Sequence, residues 1–399
     1  MRRLVISTVG TSLLTNEINE RKDSKSWITD LNKTANWTQE KIENSSDYSH
    51  VFSKIILPLR SRVENKLNNS NIVEIREMSA ELNGIYGLYD EQLSKGNQDM
   101  HYLIATDTLQ GQVTAEIVQN FLRSKGICID IFTPKGFSTD NNESFTNGID
   151  ELLNWIEDII PEFKYKIYNI CFNLVGGFKA IQGFANTIGM FYANEIIYIF
   201  EGSSTLIKIP RLPIKIDTSV IKPVEFALMA AENNISIRVS QLPKVPESLL
   251  FICDDEATLS NWGKLTWNNC KHDLFIQDLL EFPFIVYEES FKKDYKRRTV
   301  DEKNKYELHN ALAEISATML KFNGDTSRIN PRLKYKRYEG EQKCEGGLKK
   351  NEIDHFYLNK DDAWRVSCVV KEIKNSEQKK TNVLHMRHFG EHDYVNNNP

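Results

Sequence analysis

Along the first half of the chain, short apolar runs alternate with longer stretches whose apolar residues recur at helical spacing. RLVIST, NIVEIREM, HYLIATD, ICIDIFTP, YNICFNLV and EIIYIFEG read as strands, nearly continuous in hydrophobicity as strands covered on both faces are. The segments between them, among them AELNGIYGLYDEQL, GQVTAEIVQNFLRSKG and DELLNWIEDIIPEF, have the period of helices and the length that parallel crossovers require. This pattern predicts a doubly wound, Rossmann-like α/β domain over residues 1–215. A polar stretch at about residues 15–50 interrupts it after the first strand and reads as a loop or a mobile lid. TLIKIPRLPIKID reads as a strand pair broken by two prolines, a natural domain exit.

Residues 216–280 form a connector whose fold the pattern does not specify, with VEFALMAAENN helical and SNWGKLTW reading as a turn between packed aromatic residues. From 281 to 399 the order changes to strand-like FPFIVYEES, basic FKKDYKRR, a long helix KYELHNALAEISATMLKF, and a loop rich in Gly and Lys. HFYLNKDDAWRVSCVV and TNVLHMRHFGEHDYV follow, alternating as antiparallel strands do. That order predicts a small α+β domain. Alternation places Trp364, Val366, Cys368, Val370, Leu384, Met386, Phe356 and Leu358 on a core face. It leaves His355, Tyr357, Arg365, Ser367, His385 and Arg387 on an open one.

A chain of 399 residues, 40% apolar and 26% charged, suits two or three soluble domains. No run of eighteen apolar residues is available to span a bilayer, and the run behind Arg2 and Arg3 ends at Gly10, too short for a secretory signal. The six cysteines show no close pairs, so reduced thiols and a cytoplasmic location are expected. The net charge of −5 is uneven: residues 281–399 hold 23 Lys/Arg against 20 Asp/Glu, and the rest 27 against 35. A mild basic excess is more often a solvated face than a nucleic-acid site. Five of the eight histidines (His309, His355, His385, His388, His392) also fall in this last segment, where they can serve acid–base work.

Three glycine or hydroxyl clusters end predicted strands: STVGTSLL, YLIATDTLQG and NLVGGFKA. In open parallel sheets, ligands bind at such strand ends. Gly176 and Gly177 let backbone amides approach an anion, Lys179 adds a charge, and Thr11, Ser12, Asp107 and Thr108 can bond a ribose or a base edge. Each cluster alone is ordinary turn chemistry, but three on one sheet edge point to a phosphate-bearing ligand. Neither GxGxxG after the first strand nor GxxxxGK[ST] occurs, which disfavours dinucleotide and nucleoside-triphosphate sites. The GTS, ATDT and NLVGGFKA motifs resemble the CRISPR-associated Rossmann-fold (CARF) sensor domains. The resemblance implies a homodimer that cradles one cyclic oligoadenylate, most often the tetra-adenylate, as an allosteric activator. It assigns Gly10, Thr11, Ser12, Asp107, Thr108, Gly176, Gly177, Phe178 and Lys179 to the ligand. Some members of that family also cut the ring slowly, with a hydroxyl and a lysine at positions like Ser12 and Lys179.

On the open face of the last segment, His, Arg and Tyr suit metal-independent RNA cleavage. A 2′-hydroxyl attacks its own phosphate, arginines stabilise the added charge, and His or Tyr moves the protons. The alternative is a solvated sheet face. No carboxylate cluster of convincing spacing favours a magnesium nuclease, and His385, His388 and His392 have no ordered Cys partners for zinc. FIVYEESFKKDYKRR, the long helix, WRVSCVV and HMRHFGEHDYV resemble the RelE superfamily of ribosome-dependent messenger-RNA interferases. That resemblance implies that Arg365 and Arg387 contact the scissile phosphate and that His392 and Tyr394, beyond a Gly390 turn, lie in the catalytic C-terminal stretch. The lysine pair of some RelE toxins falls on Phe356 and Leu358, so His355, Glu391 and Lys360 are candidates for the general base and His385 a further proton carrier. Two alternatives stand beside this reading. The spacing from Arg387 to His392 also matches the HEPN ribonuclease signature, which belongs on a helix of an all-α domain. A sensor driving a nucleic-acid-binding module without cleavage is the other.

Overall fold

A computed structural model describes residues 1–19, 21–177, 179–200, 205–358, 363–374 and 380–399. The chain divides into two compact units, Met1–Ile214 and Lys215–Pro399. In the first, β1 (Arg3–Thr8), β2 (Met100–Ile104), β3 (Cys128–Phe132), β4 (Asn169–Asn173) and β5 (Glu195–Ile199) are parallel, and β6 (Leu206–Pro210) closes one edge antiparallel to β5. The sheet order is β3-β2-β1-β4-β5-β6, so the chain reverses its winding direction between β1 and β4. Helices cover both faces. Leu103 and Ile129 join the core beneath the helix Leu109–Ser124, while Tyr102 and Phe132 pack on Trp155 of the helix Asn142–Tyr165.

Three expectations fail here for local reasons. NIVEIREM is not a strand but the helix Ile72–Met78, nucleated by a reciprocal capping box between Asn71 and Glu74. The stretch at 15–50 is no loose lid. Its helices Ser26–Lys33 and Gln39–Glu43 bury Leu31 and Ile42, and Gln110 donates to the Leu31 carbonyl at 2.7 Å. TLIKIPRLPIKID supplies only β6, because Pro210 ends a strand that has an outer edge to spare.

The second unit opens with residues assigned above to a connector. They form an antiparallel sheet of β7 (Ile237–Arg238), β8 (Leu250–Cys253) and β9 (Glu256–Leu259), ordered β7-β9-β8, and the helices Pro223–Ala230 and Asn261–Phe275. SNWGKLTW lies not in a turn but in the second of these helices, capped where the Ser260 hydroxyl accepts from the Gly263 amide. Phe226, Trp267 and Phe275 share one core with Phe291, Leu312, Phe356, Val366 and Met386. The mixed sheet above that core runs β10-β14-β13-β12-β11 and comprises β10 (Ile285–Tyr287), β11 (Lys336–Arg337), β12 (Asp354–Tyr357), β13 (Trp364–Lys374) and β14 (Lys380–Glu391). β10 is parallel to β14 and the remaining pairs are antiparallel. Among the described residues, no helix is long and apolar enough to cross a membrane.

Candidate functional site

In the first unit the loops after β1 and β4 meet at the point where the winding reverses, and enclose a cavity of about 250 Å³. Gly10, Thr11, Ser12, Ala80, Val175, Gly176 and Gly177 line it. Two of these glycines are required by their surroundings. Gly177 sits at φ +108°, and a Cβ on Gly176 would fall 2.1 Å from a Glu81 carboxylate oxygen. Glu81, 1% exposed, accepts the Gly10 amide at 2.6 Å and the Ser79 hydroxyl at 2.7 Å, so it pins the β1 loop from below. Burial without a charged partner raises its pKa. From the other side, the Thr8 hydroxyl donates to the Gly176 carbonyl. The cradle is therefore a backbone surface fixed by buried side chains.

Lys179 is exposed at the start of the helix Lys179–Tyr192. Asp107 and Thr108 are not among the residues lining this cavity. The Asp107 carboxylate accepts from the Gly136 amide at 2.8 Å and from Gln112 at 3.1 Å, and Thr108 caps the helix Leu109–Ser124. Phe178 and Lys360 lie outside the described residues.

In the second unit the expected alternation holds for the core: Val366, Cys368, Leu384, Met386 and Phe356 are all buried in it. The face opposite is not open, however. Arg365 is 2% exposed, His355 3% and Arg387 4%. The physical reason is the segment joining β11 to β12, which lays Tyr338 on the His355 ring with centroids 4.0 Å apart. Arg365 hydrogen-bonds the Tyr357 hydroxyl and the Asn396 side-chain oxygen, and its guanidinium stacks over the Tyr357 ring at 4.4 Å. A register shift between Ser367 and Cys368 pairs Ser367 with His388 and Cys368 with Met386, leaving Arg387 as the extra residue of a bulge. The bulge lets both Met386 and Phe389 face the core, which simple alternation does not allow. Burial holds the His355 imidazole down at about 4, and Arg365 and Lys336 add to the effect.

Gly390 is not a turn. β14 continues through it to Glu391, and the helix His392–Asn397 begins directly afterwards. The HEPN alternative fails here, since Arg387 and His392 do not share a helix and the unit is built on a five-stranded sheet. The three histidines weighed for zinc diverge: His385 meets Lys371, His392 meets Asp393, and His388 meets Asp294. The last contact belongs to a network that the sequence pattern did not single out. Asp294, buried in the helix Glu289–Tyr295, accepts from His388 Nδ1 at 2.9 Å, the Phe389 amide at 3.1 Å and the Tyr394 hydroxyl at 3.0 Å. Arg297 pairs with the same carboxylate at 2.6 Å and lies over the Tyr394 ring at 3.8 Å. Because a carboxylate only accepts, His388 carries its proton on Nδ1. The network fixes the C-terminal helix, and with it Tyr394 and Asn396, against β14. Its one sequence signal was an acid inside the otherwise basic FKKDYKRR.

A largely parallel sheet with a small cradle at its switch point places the first unit in the class of doubly wound α/β folds, in which ligands bind at such a point. Residues 76–212 match the family described as CRISPR-associated protein (Cas_APE2256), which supports a CRISPR accessory role for the chain.

Proposed function

We propose that the chain is an effector of type III CRISPR defence in which a cyclic oligoadenylate, cyclic tetra-adenylate in particular, binds the first unit of a homodimer. Binding switches on a RelE-type, ribosome-dependent endoribonuclease in the second unit, which cleaves messenger RNA in the cytoplasm and stops translation. The observation that carries the reading is the cradle at the switch point, together with the family match that overlaps it. Backbone amides around Gly177 and the Lys179 ammonium suit a phosphate, and a two-fold symmetric ring of four nucleotides suits an isologous dimer. In the second unit, the buried Arg365 guanidinium acting on a neutral His355 imidazole, with Arg387 buried on β14 and ion-paired to Glu288 at 3.7 Å, suits phosphodiester transesterification. The substrate 2′-oxygen bonds to phosphorus as its proton passes to a base, for which His355 is a candidate. The bond to the 5′-oxygen breaks, and Tyr394 or His392 protonates the leaving group. Arg365 and Arg387 hold the extra negative charge of the transition state, and no metal is needed for that role.

Calorimetry with cyclic tetra-adenylate tests the sensor half. One ring per two chains is expected. Two rings per dimer, or failure of every cyclic oligoadenylate to bind, would contradict it.

A further inference from the structure

The segment 338–353 between β11 and β12 is folded on itself and laid over a charged surface. Lys343 and Lys349 form a bridge, and the Cys344, Lys350 and Asn351 amides donate to the Leu348, Gln342 and Gly340 carbonyls at 2.8, 2.9 and 2.9 Å. Its root is pinned where Arg337 forks onto Asp354, at 2.9 and 3.3 Å, and the Tyr335 hydroxyl meets the same carboxylate at 3.0 Å. Beyond the root, the described residues hold it by an apolar cluster of Tyr338, Ile353 and Val369 with Cys344 and Leu348 packed on it, by the Tyr338 side chain against Arg365 and His355, and by a bond from Lys350 to the Asn396 carbonyl at 3.2 Å. Gly340, Gly346 and Gly347 all adopt positive φ, at +107°, +79° and +80°. The tip passes above Arg387, whose Nη2 lies 3.9 Å from where a Cβ on Gly346 would sit.

Beneath this strap the polar groups are poorly served. Both ring nitrogens of His355 and the Nε of Arg365 are buried without a hydrogen-bond partner. Native interiors rarely leave such groups without a partner, whether a protein group, an ordered water or a ligand. The Tyr338 ring lies over the imidazole at 4.0 Å with 29° between planes, which is how a nucleobase lies on an aromatic side chain in single-strand recognition. A neutral imidazole offers a flat face to a base and two nitrogens for a ribose or base edge. We propose that His355 is the stacking platform of a single-stranded RNA subsite, and that Tyr338 occupies the place of the nucleobase until the strap 338–353 swings away. The nucleotide then stacks on His355 with its phosphate against Arg365 and Arg387. This rests on the RNA-directed reading of the second unit, and it assigns to the strap the silent state that the activator must undo.

The test is binding of a fluorescent 2′-O-methyl hexanucleotide, which cannot be cleaved, to the full chain without activator. Wild type is compared with Tyr338→Ala and with a chain whose residues 339–352 are replaced by a short Gly-Ser turn. Both variants are expected to bind at least about tenfold more tightly than wild type, and His355→Ala in either background to return affinity to the wild-type level. An abasic hexanucleotide should lose the gain. Equal binding by wild type and both variants, no binding by any of them, or a gain that survives His355→Ala would overturn the subsite. Should the shortened chain fail to fold, as judged by circular dichroism, Tyr338→Ala alone decides. A variant that binds tightly yet leaves messenger RNA on ribosomes uncut would keep the subsite and sink the ribonuclease reading instead.

Discussion

The cradle of the first unit is built from backbone, while the cluster of the second is built from side chains. At the ends of β1 and β4, Gly10, Gly176 and Gly177 line a cavity of about 250 Å³, and the acidic residue beneath it, Glu81, serves to hold the loops. On β12, β13 and β14 the reverse applies: Arg365, Arg387 and His355, the side chains proposed above for RNA chemistry, are themselves buried. A backbone site tolerates changes to neighbouring side chains but not to its glycines. A buried side-chain site ties function to stability, because removing one member strands the others.

The largest expected effect breaks the comparison from the effector side. Arg365→Ala or Arg387→Ala should lower the cleavage rate by roughly 10²- to 10³-fold, as for loss of one preorganised donor, with ring binding retained. A folded, fully active double variant would show that the cluster is structural only.

Acid tests the second unit next. His309 donates from Nδ1 to the Lys305 carbonyl and accepts the Leu280 amide on Nε2, so it is a satisfied core residue held neutral, its pKa pushed down by burial to about 4. His355 is likewise lowered to about 4. Below the ordinary histidine value of 6.5 the unfolded chain takes up protons that the folded one refuses. Their contribution to stability is thus full above about pH 6.5 and is lost as the pH falls towards 4, by on the order of 3 kcal/mol for the deeply buried His309 and less for His355. Urea unfolding at pH 7 and pH 5 should show a smaller loss in His309→Phe than in wild type. Equal losses would remove His309 from the account.

On the sensor side, Lys179→Ala should weaken cyclic tetra-adenylate by about 1.5 to 3 kcal/mol, the range for charge-assisted hydrogen bonds, with Lys179 near its lower end because the side chain is exposed. Unchanged affinity in calorimetry would place the phosphates elsewhere. The smallest effect is expected from Cys368→Ser, on the core face of β13. A buried hydroxyl there should cost about 1 to 3 kcal/mol of stability while leaving the rate per folded molecule unchanged. A lower rate in the folded fraction would mean that the two faces of β13 are coupled.

These contrasts track what the pattern along the chain could show. Five of the six expected strands of the first unit are present, because a strand buried on both faces leaves an uninterrupted apolar run, and the cradle glycines follow such runs directly. NIVEIREM misled because its alternating Val and Ile outweighed a cap that needs only Asn71 and Glu74. In the second unit, alternation sorted core from outer face correctly up to Met386, and the bulge at Arg387 then resets the parity so that Phe389 returns to the core. It also could not show that the outer face is covered, since Tyr338 meets His355 from 17 residues away, nor that Asp294 and Asn396 converge on His388 and Arg365. Such contacts are decided by tertiary packing and leave no period in the sequence.

The most direct test of a ring-triggered ribonuclease is to incubate the purified chain with translating ribosomes and each cyclic oligoadenylate in turn, and to map the ends of the messenger. The account predicts cuts within the codon of the ribosomal A site that depend on cyclic tetra-adenylate and vanish in Arg365→Ala. Messenger left intact with the ring bound, or cuts of equal extent with and without the ring, would contradict it.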